Sequence, residues 1–352
     1  MSKAAGTVLW WGRFDPDYSR NRILRQAFSA FGWKIIDFRP RLSSLGDLEA
    51  TLKGIKKPDI LWLPAFRQRD MAAAARWARR HNVPLVFDPM ISAYDKQVFE
   101  RRKFTADSPQ AAKLLEKERS IFSSADQIVA DTAGHAEFFA DTFGLSPEKI
   151  HVVAVGAEES LFCPAPLTER RPQEPSEALF YGSFISLQAP EVIVEAAKLC
   201  DAPIRWTLLG DGPLKAICEE AAGDHPAITF ESYTPYEDLP ARIHKADILL
   251  GVFGKSGKAA RVIPNKVYQA LACGRVVITR ESTAYPAPKS EGLVEIPAGD
   301  AHALAENVKR LALAPNRLEA RGAAARTYYE QHFSLQTIHS QLEAVLKKVL
   351  CG

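Results

Sequence analysis

A twice-repeated alternation of short, mainly apolar runs with longer helical patterns constrains this 352-residue chain most. In the first series the apolar runs are 7–11 (TVLWW), 33–38, 60–63, 84–87, 127–130 and 150–155, with helical patterns over 23–31, 71–81, 114–122 and 135–143. The second series has strands at 178–180, 206–209, 228–230, 248–252, 276–278 and 293–296. Its helices fall over 191–199, 214–222, 236–244 and 301–312. Strand and helix alternating at this spacing predict βαβ units and mostly parallel sheets, buried on both faces. Between the series the chain turns polar and carries Pro164, Pro166, Pro172 and Pro175, as an inter-domain linker does. The expected fold is α/β, with two Rossmann-like, doubly wound parallel-sheet domains facing a central cleft. Their bounds are 1–163 and 178–334, with a Pro-rich linker at 164–177. The amphipathic tail 335–352 is expected to pack back on the first domain. Ligands of such sheets sit beyond the carboxyl ends of the strands.

Composition excludes several classes. Five cysteines, with no CxxC and no His at metal spacing, fit neither a disulfide framework nor a zinc site, and they suit a reducing cytosol. The apolar start is too short for a signal peptide, and no run of about 18 apolar residues offers a membrane span. The expected location is cytoplasmic, in peripheral contact at most with the inner face of a membrane. Net charge is only +3, but residues 1–104 carry 20 Lys and Arg against 10 Asp and Glu. Such a basic first third suggests an anionic ligand or surface. Without an RNA-binding aromatic signature, nucleic acid is not an expected partner.

The stretch 251–280 narrows the ligand. It holds Lys255, Lys258, Arg261, Lys266, Arg275 and Arg280 and no acid. A helix is predicted from Pro264 in its first turn, with Val267, Ala270 and Leu271 on the core side and Gly274 closing it. Ile263, just before it, offers no side-chain acceptor to the first-turn N–H groups. Those donors and the clustered cations together suit an anion such as a phosphate.

These motifs carry a family resemblance. In the second half they are Phe180-Tyr181-Gly182-Ser183, LLGDGP at 208–213, YEDL at 236–239 with Ala246-Asp247, and IPNKVYQALACG at 263–274. The first half adds Gly12-Arg13-Phe14, VFDP at 86–89, Asp131-Thr132 and Val155-Gly156-Ala157. The chain resembles the family 4 retaining glycosyltransferases of the GT-B superfamily over nearly its whole length. The resemblance implies a hexosyltransferase that moves a sugar from a nucleotide sugar, by the family's habits a UDP-sugar, to a glycan or lipid-linked acceptor. It also implies donor binding by Gly12, Arg13, Gly182, Ser183, Lys258, Arg261, Pro264, Asn265, Lys266 and Gln269. The family usually carries two glutamates eight residues apart; this chain has Arg261 and Gln269 there. We read Arg261 as a phosphate cation and Gln269 as a neutral partner for ribose hydroxyls.

Breaking a sugar–diphosphate bond requires stabilisation of the charge on the leaving group, by a metal or by fixed cations and N–H dipoles. Asp15-Pro16-Asp17 is a formal DxD but reads as turn chemistry. The expectation is therefore no cofactor and no metal, with Lys258 and Arg261 as catalytic cations. Asp88, ending an apolar strand, is the expected acceptor-side catalytic carboxylate, joined by Tyr18, Arg20 and His135. A helix carrying Arg76, Arg79 and Arg80 beside Trp77 could dock to anionic lipid, but reads more simply as an ordinary solvent-facing helix. Two alternatives stand: a nucleotide-sugar epimerase on the same fold, and a catalytically decayed nucleotide- or glycan-binding protein.

Overall fold

The computed structural model describes residues 5–166 and 174–351; the middle of the expected linker, with Pro172, lies outside the described residues. The chain divides into two compact units, Met1–Val155 with Leu335–Gly352, and Gly156–Ser334.

The first unit runs β1 (Gly6–Trp11), α1 (Ser19–Ala30), β2 (Trp33–Phe38), α2 (Gly46–Leu52), β3 (Ile60–Leu63), α3 (Met71–His81), β4 (Leu85–Phe87), α4 (Pro109–Ser123), β5 (Gln127–Ala130), α5 (Ala133–Phe143) and β6 (Ile150–Val152). All strands are parallel, in the order β2-β1-β3-β4-β5-β6. Val8, Leu9, Trp10 and Trp11 are fully buried, so β1 is covered on both faces, as its uniform apolarity requires. Trp10 stacks on Trp62 on one side, while Trp11 meets Phe38 and Trp77 on the other.

The second unit continues with β7 (Ser176–Tyr181), α6 (Pro190–Leu199), β8 (Ile204–Leu209), α7 (Lys215–Ala222), β9 (Ile228–Glu231), α8 (Leu239–Lys245), β10 (Ile248–Leu250), α9 (Asn265–Ala272), β11 (Val276–Arg280), β12 (Leu293–Ile296), α10 (Ala301–Ala312) and α11 (Leu318–His332). The order β12-β11-β10-β7-β8-β9, all parallel, reverses its winding between β7 and β10. That reversal is where a doubly wound sheet opens its ligand crevice. The last helix, α12 (Leu335–Cys351), belongs to the first unit. Its Gln341 Oε1 accepts from the Ala154 N–H at 2.9 Å and its Lys348 Nζ donates to the Glu148 carbonyl at 2.9 Å.

Two helices, α2 and α11, have no counterpart in the sequence reading. In α11 the residues facing inward include Gly322 and Ala325. A Cβ on Gly322 would stand 2.3 Å from the Gly274 carbonyl oxygen, so this helix packs by close backbone approach. In α2 the buried positions are Gly46, Asp47 and Ala50, and its leucines point outward.

Candidate functional site

In the second unit, Gly182 follows β7 at φ +142° and donates its N–H to the Leu209 carbonyl at 3.0 Å. A Cβ here would lie 2.9 Å from Gln188 Oε1 and 3.1 Å from Lys266 Nζ. Only glycine leaves room for that pair. Gly210, after β8, is tighter still, since its Cβ would stand 2.1 Å from the Gly182 carbonyl oxygen. The two loops thus abut backbone to backbone at the carboxyl edge of the sheet.

Pro264 stands one position earlier than expected, as the extended cap residue before α9, with ψ 150° and no side-chain cap. Proline has no side-chain acceptor, so the inference of an uncapped start holds with Pro264 in the place given to Ile263. Asn265 and Lys266 form the first turn. Lys266 is not a surface lysine: it is 5% exposed. Its Nζ donates to Gln188 Oε1 at 2.6 Å and lies 3.6 Å from the centre of the Phe180 ring. Burial holds its pKa well below the ordinary lysine value. No acidic side chain pairs with it among the described residues.

Tyr181 braces this turn from behind. Its hydroxyl lies 3.0 Å from the Lys266 carbonyl and 3.1 Å from Gln269 Oε1, donating towards both. Burial pushes the phenol well above its ordinary pKa, so it remains a donor. Gln269 is buried, with its side-chain oxygen engaged by Tyr181. Gln188, Phe180 and the hydroxyl of Tyr181 were not predicted as site residues. A polar residue in a loop carries no sequence signal, and its partner lies 78 positions away.

The six cations of this stretch divide by role. Arg275 is 2% exposed and donates to the carbonyls of Ala165, Pro166 and His244 at 2.8–3.1 Å. Arg280 donates to the Gly254 and Ser256 carbonyls at 2.8 and 3.3 Å. Both fix backbone and are unsuited to a ligand. Lys258 is buried and Arg261 half-buried, on a turn closed by the Arg261 N–H to the Lys258 carbonyl at 3.0 Å. Ser282 Oγ holds that turn through the Ala260 carbonyl at 2.5 Å. Ser183 is exposed.

In the first unit the expected acceptor-side residues collect into one buried polar cluster. Arg20 and Asp88 are both 0% exposed. Arg20 Nε lies 2.9 Å from Asp88 Oδ2 and Nη2 3.2 Å from Oδ1, while Nη1 donates to the Val153 and Ala154 carbonyls at 2.6 and 2.8 Å. Both side chains are engaged with protein groups. All three guanidinium nitrogens of Arg20 donate to protein acceptors, and both Asp88 oxygens accept from it. The pair ties the start of α1 to the end of β4 and to the segment after β6. Burial pushes Asp88 above its ordinary pKa against the pull of Arg20, and Asp131 adds to the rise.

Thr132 Oγ1 caps α5 by accepting from the His135 N–H at 3.1 Å. That cap places His135 Nδ1 2.5 Å from Asp131 Oδ1. Burial alone would raise Asp131, but the neighbouring His135 and Arg20 outweigh it and hold the carboxyl below its ordinary range. Tyr18, half-buried, is raised to about 12 by burial and then by Asp131. Its ring meets Phe66 edge-on at 5.0 Å. Phe66 borders a cavity of about 550 Å³ also lined by Arg69, Ile91, Lys96, Leu114 and Lys117.

Gly12 ends β1 at φ +124° beneath the Arg67 side chain, and exposed Arg13 offers its carbonyl to Arg67 Nη1 at 2.5 Å. Asp15 and Asp17 form a turn, the Asp17 N–H donating to Asp15 Oδ1 at 2.9 Å. Among the described residues no three of His, Cys, Asp and Glu gather as a metal site. Trp77, beside the arginines of the helix that could dock to lipid, is 0% exposed in the core. Its neighbour Arg76 is paired with Asp47 through Nε at 3.0 Å and Nη2 at 2.7 Å. No helix of the described chain is long and apolar enough to cross a membrane.

Two parallel, doubly wound sheets, the second with glycine-lined loops and a buried lysine at its winding reversal, define a two-unit α/β architecture. A family model described as "Glycosyl transferase 4-like domain" matches residues 14–156, and one described as "Glycosyl transferases group 1" matches 175–313. The chain belongs to these family 4-like glycosyltransferases of GT-B fold. It is 27% identical over 290 residues to D-inositol 3-phosphate glycosyltransferase of Gordonia bronchialis, covering 75% of this chain and 61% of that one. The enzyme of the same description from Thermomonospora curvata is 32% identical over 149 residues, or 39% of this chain and 32% of that one. The chain thus spans at most about three-fifths of these curated relatives. Two solved structures share the fold. One is Anabaena HepE in complex with UDP, with TM-score 0.72, 13% identity, and 97% of this chain and 100% of that one covered. The other is sucrose-phosphate synthase of Thermosynechococcus elongatus, with TM-score 0.74, 18% identity, and 98% and 99% covered.

Proposed function

We propose that this chain is a glycosyltransferase that moves a sugar from a UDP-sugar to an acceptor hydroxyl, with retention and without a metal. The observation that carries the reading is Lys266. It is an amine buried beside the loop that Gly182 keeps open, and its partners are a neutral amide and an aromatic ring. A cation so placed is costly until an anion arrives. Solved relatives of this fold hold UDP and UDP-glucose, which supports a uridine donor.

In the reaction, the bond from the anomeric carbon to the diphosphate oxygen breaks and negative charge grows on that oxygen. Lys266, Lys258 and Arg261, with the first-turn N–H groups of Asn265 and Lys266, meet that charge in place of a divalent ion. The acceptor hydroxyl attacks from the same face and gives its proton to the departing phosphate. Gln269 and Ser183 are assigned to the nucleoside and diphosphate contacts, and Gly12 and Arg13 to the donor's sugar end. Arg20 and Asp88 hold the fold; Tyr18 and the Asp131–His135 pair stand on the acceptor side. The cavity beside Phe66, with Arg69, Lys96 and Lys117 on its wall, supports an acceptor carrying a phosphate or other acidic group. Relatives named for D-inositol 3-phosphate agree with that class.

Calorimetry with UDP and UMP, followed by mass spectrometry of products from UDP-glucose with and without inositol phosphate, tests the reading in the presence of EDTA. Binding of UDP well above UMP and a glycosylated acceptor are the expected results. Free epimer from donor alone would replace transfer with epimerisation. Turnover lost in EDTA and restored by magnesium would remove the metal-independent mechanism.

A further inference from the structure

Residues 39–57 of the first unit form a surface that the donor chemistry does not use. Leu42, Leu45, Leu48 and Leu52 are 59%, 48%, 52% and 88% exposed. Leu48 and Leu52, four apart, share one side of α2, and Leu42 and Leu45 are exposed in its lead-in. The opposite side is anchored: Gly46 lies against Trp11 and Pro40, and buried Asp47 holds Arg76. An amphipathic helix of a globular fold turns its leucines inward. Here the polar and small positions are inward and the leucines face out.

Charge identifies the occupant. Exposed Arg39, Arg41, Lys53, Lys56 and Lys57 border the stripe. The segment's two acids are both engaged, Asp47 by Arg76 and Glu49 by Lys53 at 2.8 Å and the Arg41 N–H at 2.7 Å. Arg39, Arg41, Lys56 and Lys57 form no ion pair among the described residues. A protein partner's apolar groove would match the leucines alone. A rim of unpaired cations around apolar side chains matches an anionic bilayer, where the leucines enter the acyl boundary and the cations remain among phosphates.

We infer that the leucine face of residues 42–52, with its flanking cations, docks this chain on the surface of an anionic phospholipid bilayer. The face adjoins α3, the helix of Arg76, Arg79 and Arg80, but uses none of its buried residues. The inference is independent of the donor reading, because lipid binding is read without turnover.

Sedimentation of the full chain with phosphatidylcholine vesicles, and with vesicles containing phosphatidylglycerol, tests it. Affinity at least about tenfold higher for the anionic vesicles is expected, falling as salt is raised. The double variant Leu48→Asp/Leu52→Asp should lose about tenfold or more, while Lys56→Glu/Lys57→Glu should lose several-fold and most of the salt dependence. Both pairs are exposed, so unchanged circular dichroism and thermal midpoint will identify folded variants. Equal binding to both vesicles, or unchanged binding by the leucine variant, overturns the inference. So does concentration-dependent self-association that Leu48→Asp abolishes, in the absence of vesicle binding, since that outcome assigns the stripe to a second copy.

Discussion

Arg20 in the first unit and Lys266 in the second are both buried cations, and their surroundings are opposite. Arg20 meets a carboxylate in two-point contact and two backbone carbonyls. Its charge is neutralised within the fold. Lys266 Nζ meets Gln188 and the rings of Phe180 and Tyr181. The first arrangement carries its own counter-charge; the second pairs its amine with no acidic side chain among the described residues. A buried, fully paired guanidinium marks a structural tie, whereas a buried amine among neutral groups marks a place for a charged substrate.

Removing Asp88 breaks this comparison most severely. Asp88→Ala leaves Arg20 buried without its counter-charge, and should cost about 3–5 kcal/mol, read as a lower urea midpoint. An unchanged midpoint would return Asp88 to the list of catalytic candidates. Lys266→Met should behave oppositely: stability equal to or above that of the parent, with UDP affinity lower by about 1.5–3 kcal/mol in calorimetry. Loss of stability with unchanged UDP affinity would make Lys266 a structural residue like Arg20.

The pH dependence sharpens the same contrast. The unfolded chain keeps Lys266 protonated up to its ordinary 10.5, while burial lowers the folded value well below that. Between the two values the unfolded state binds the extra proton, so stability should rise with pH across that window. A bound diphosphate favours the ammonium form and draws a proton in. UDP affinity should therefore fall as pH rises through the free protein's value, with proton uptake visible in buffers of different ionisation enthalpy. A flat profile without uptake would exclude Lys266 from the diphosphate seat. The smallest effect expected is from Tyr181→Phe, which removes the hydroxyl bracing Lys266 and Gln269. It should cost about 1 kcal/mol of stability, measured by thermal unfolding, and weaken UDP binding less than Lys266→Met does.

Much of the fold was legible because its strands are apolar on both faces and its turns are marked by glycine and proline. The run from Met71 to His81 was recognisable as a helix from its spacing alone, and the uncapped start at Pro264 from residue type. The α2 helix was hidden by leucines directed outward, and α11 by the glycine and alanine that interrupt the buried side formed by Leu318, Tyr328 and Tyr329. The candidate site was legible only as a set of positions. The sequence showed six cations between 251 and 280 but not that Arg275 and Arg280 turn inward onto carbonyls.

By itself, then, the order of residues determined two parallel α/β units, a cationic helix start without a side-chain cap, and a basic first third. Local chemistry suffices for these, because periodicity, capping and charge are properties of neighbouring residues. Only the tertiary structure decided which charges neutralise one another. The topology brings Arg20 to Asp88 across 68 positions and Lys266 to Gln188 across 78. Desolvation then acts on one pair whose charges cancel and on another whose amine it holds well below the ordinary lysine pKa.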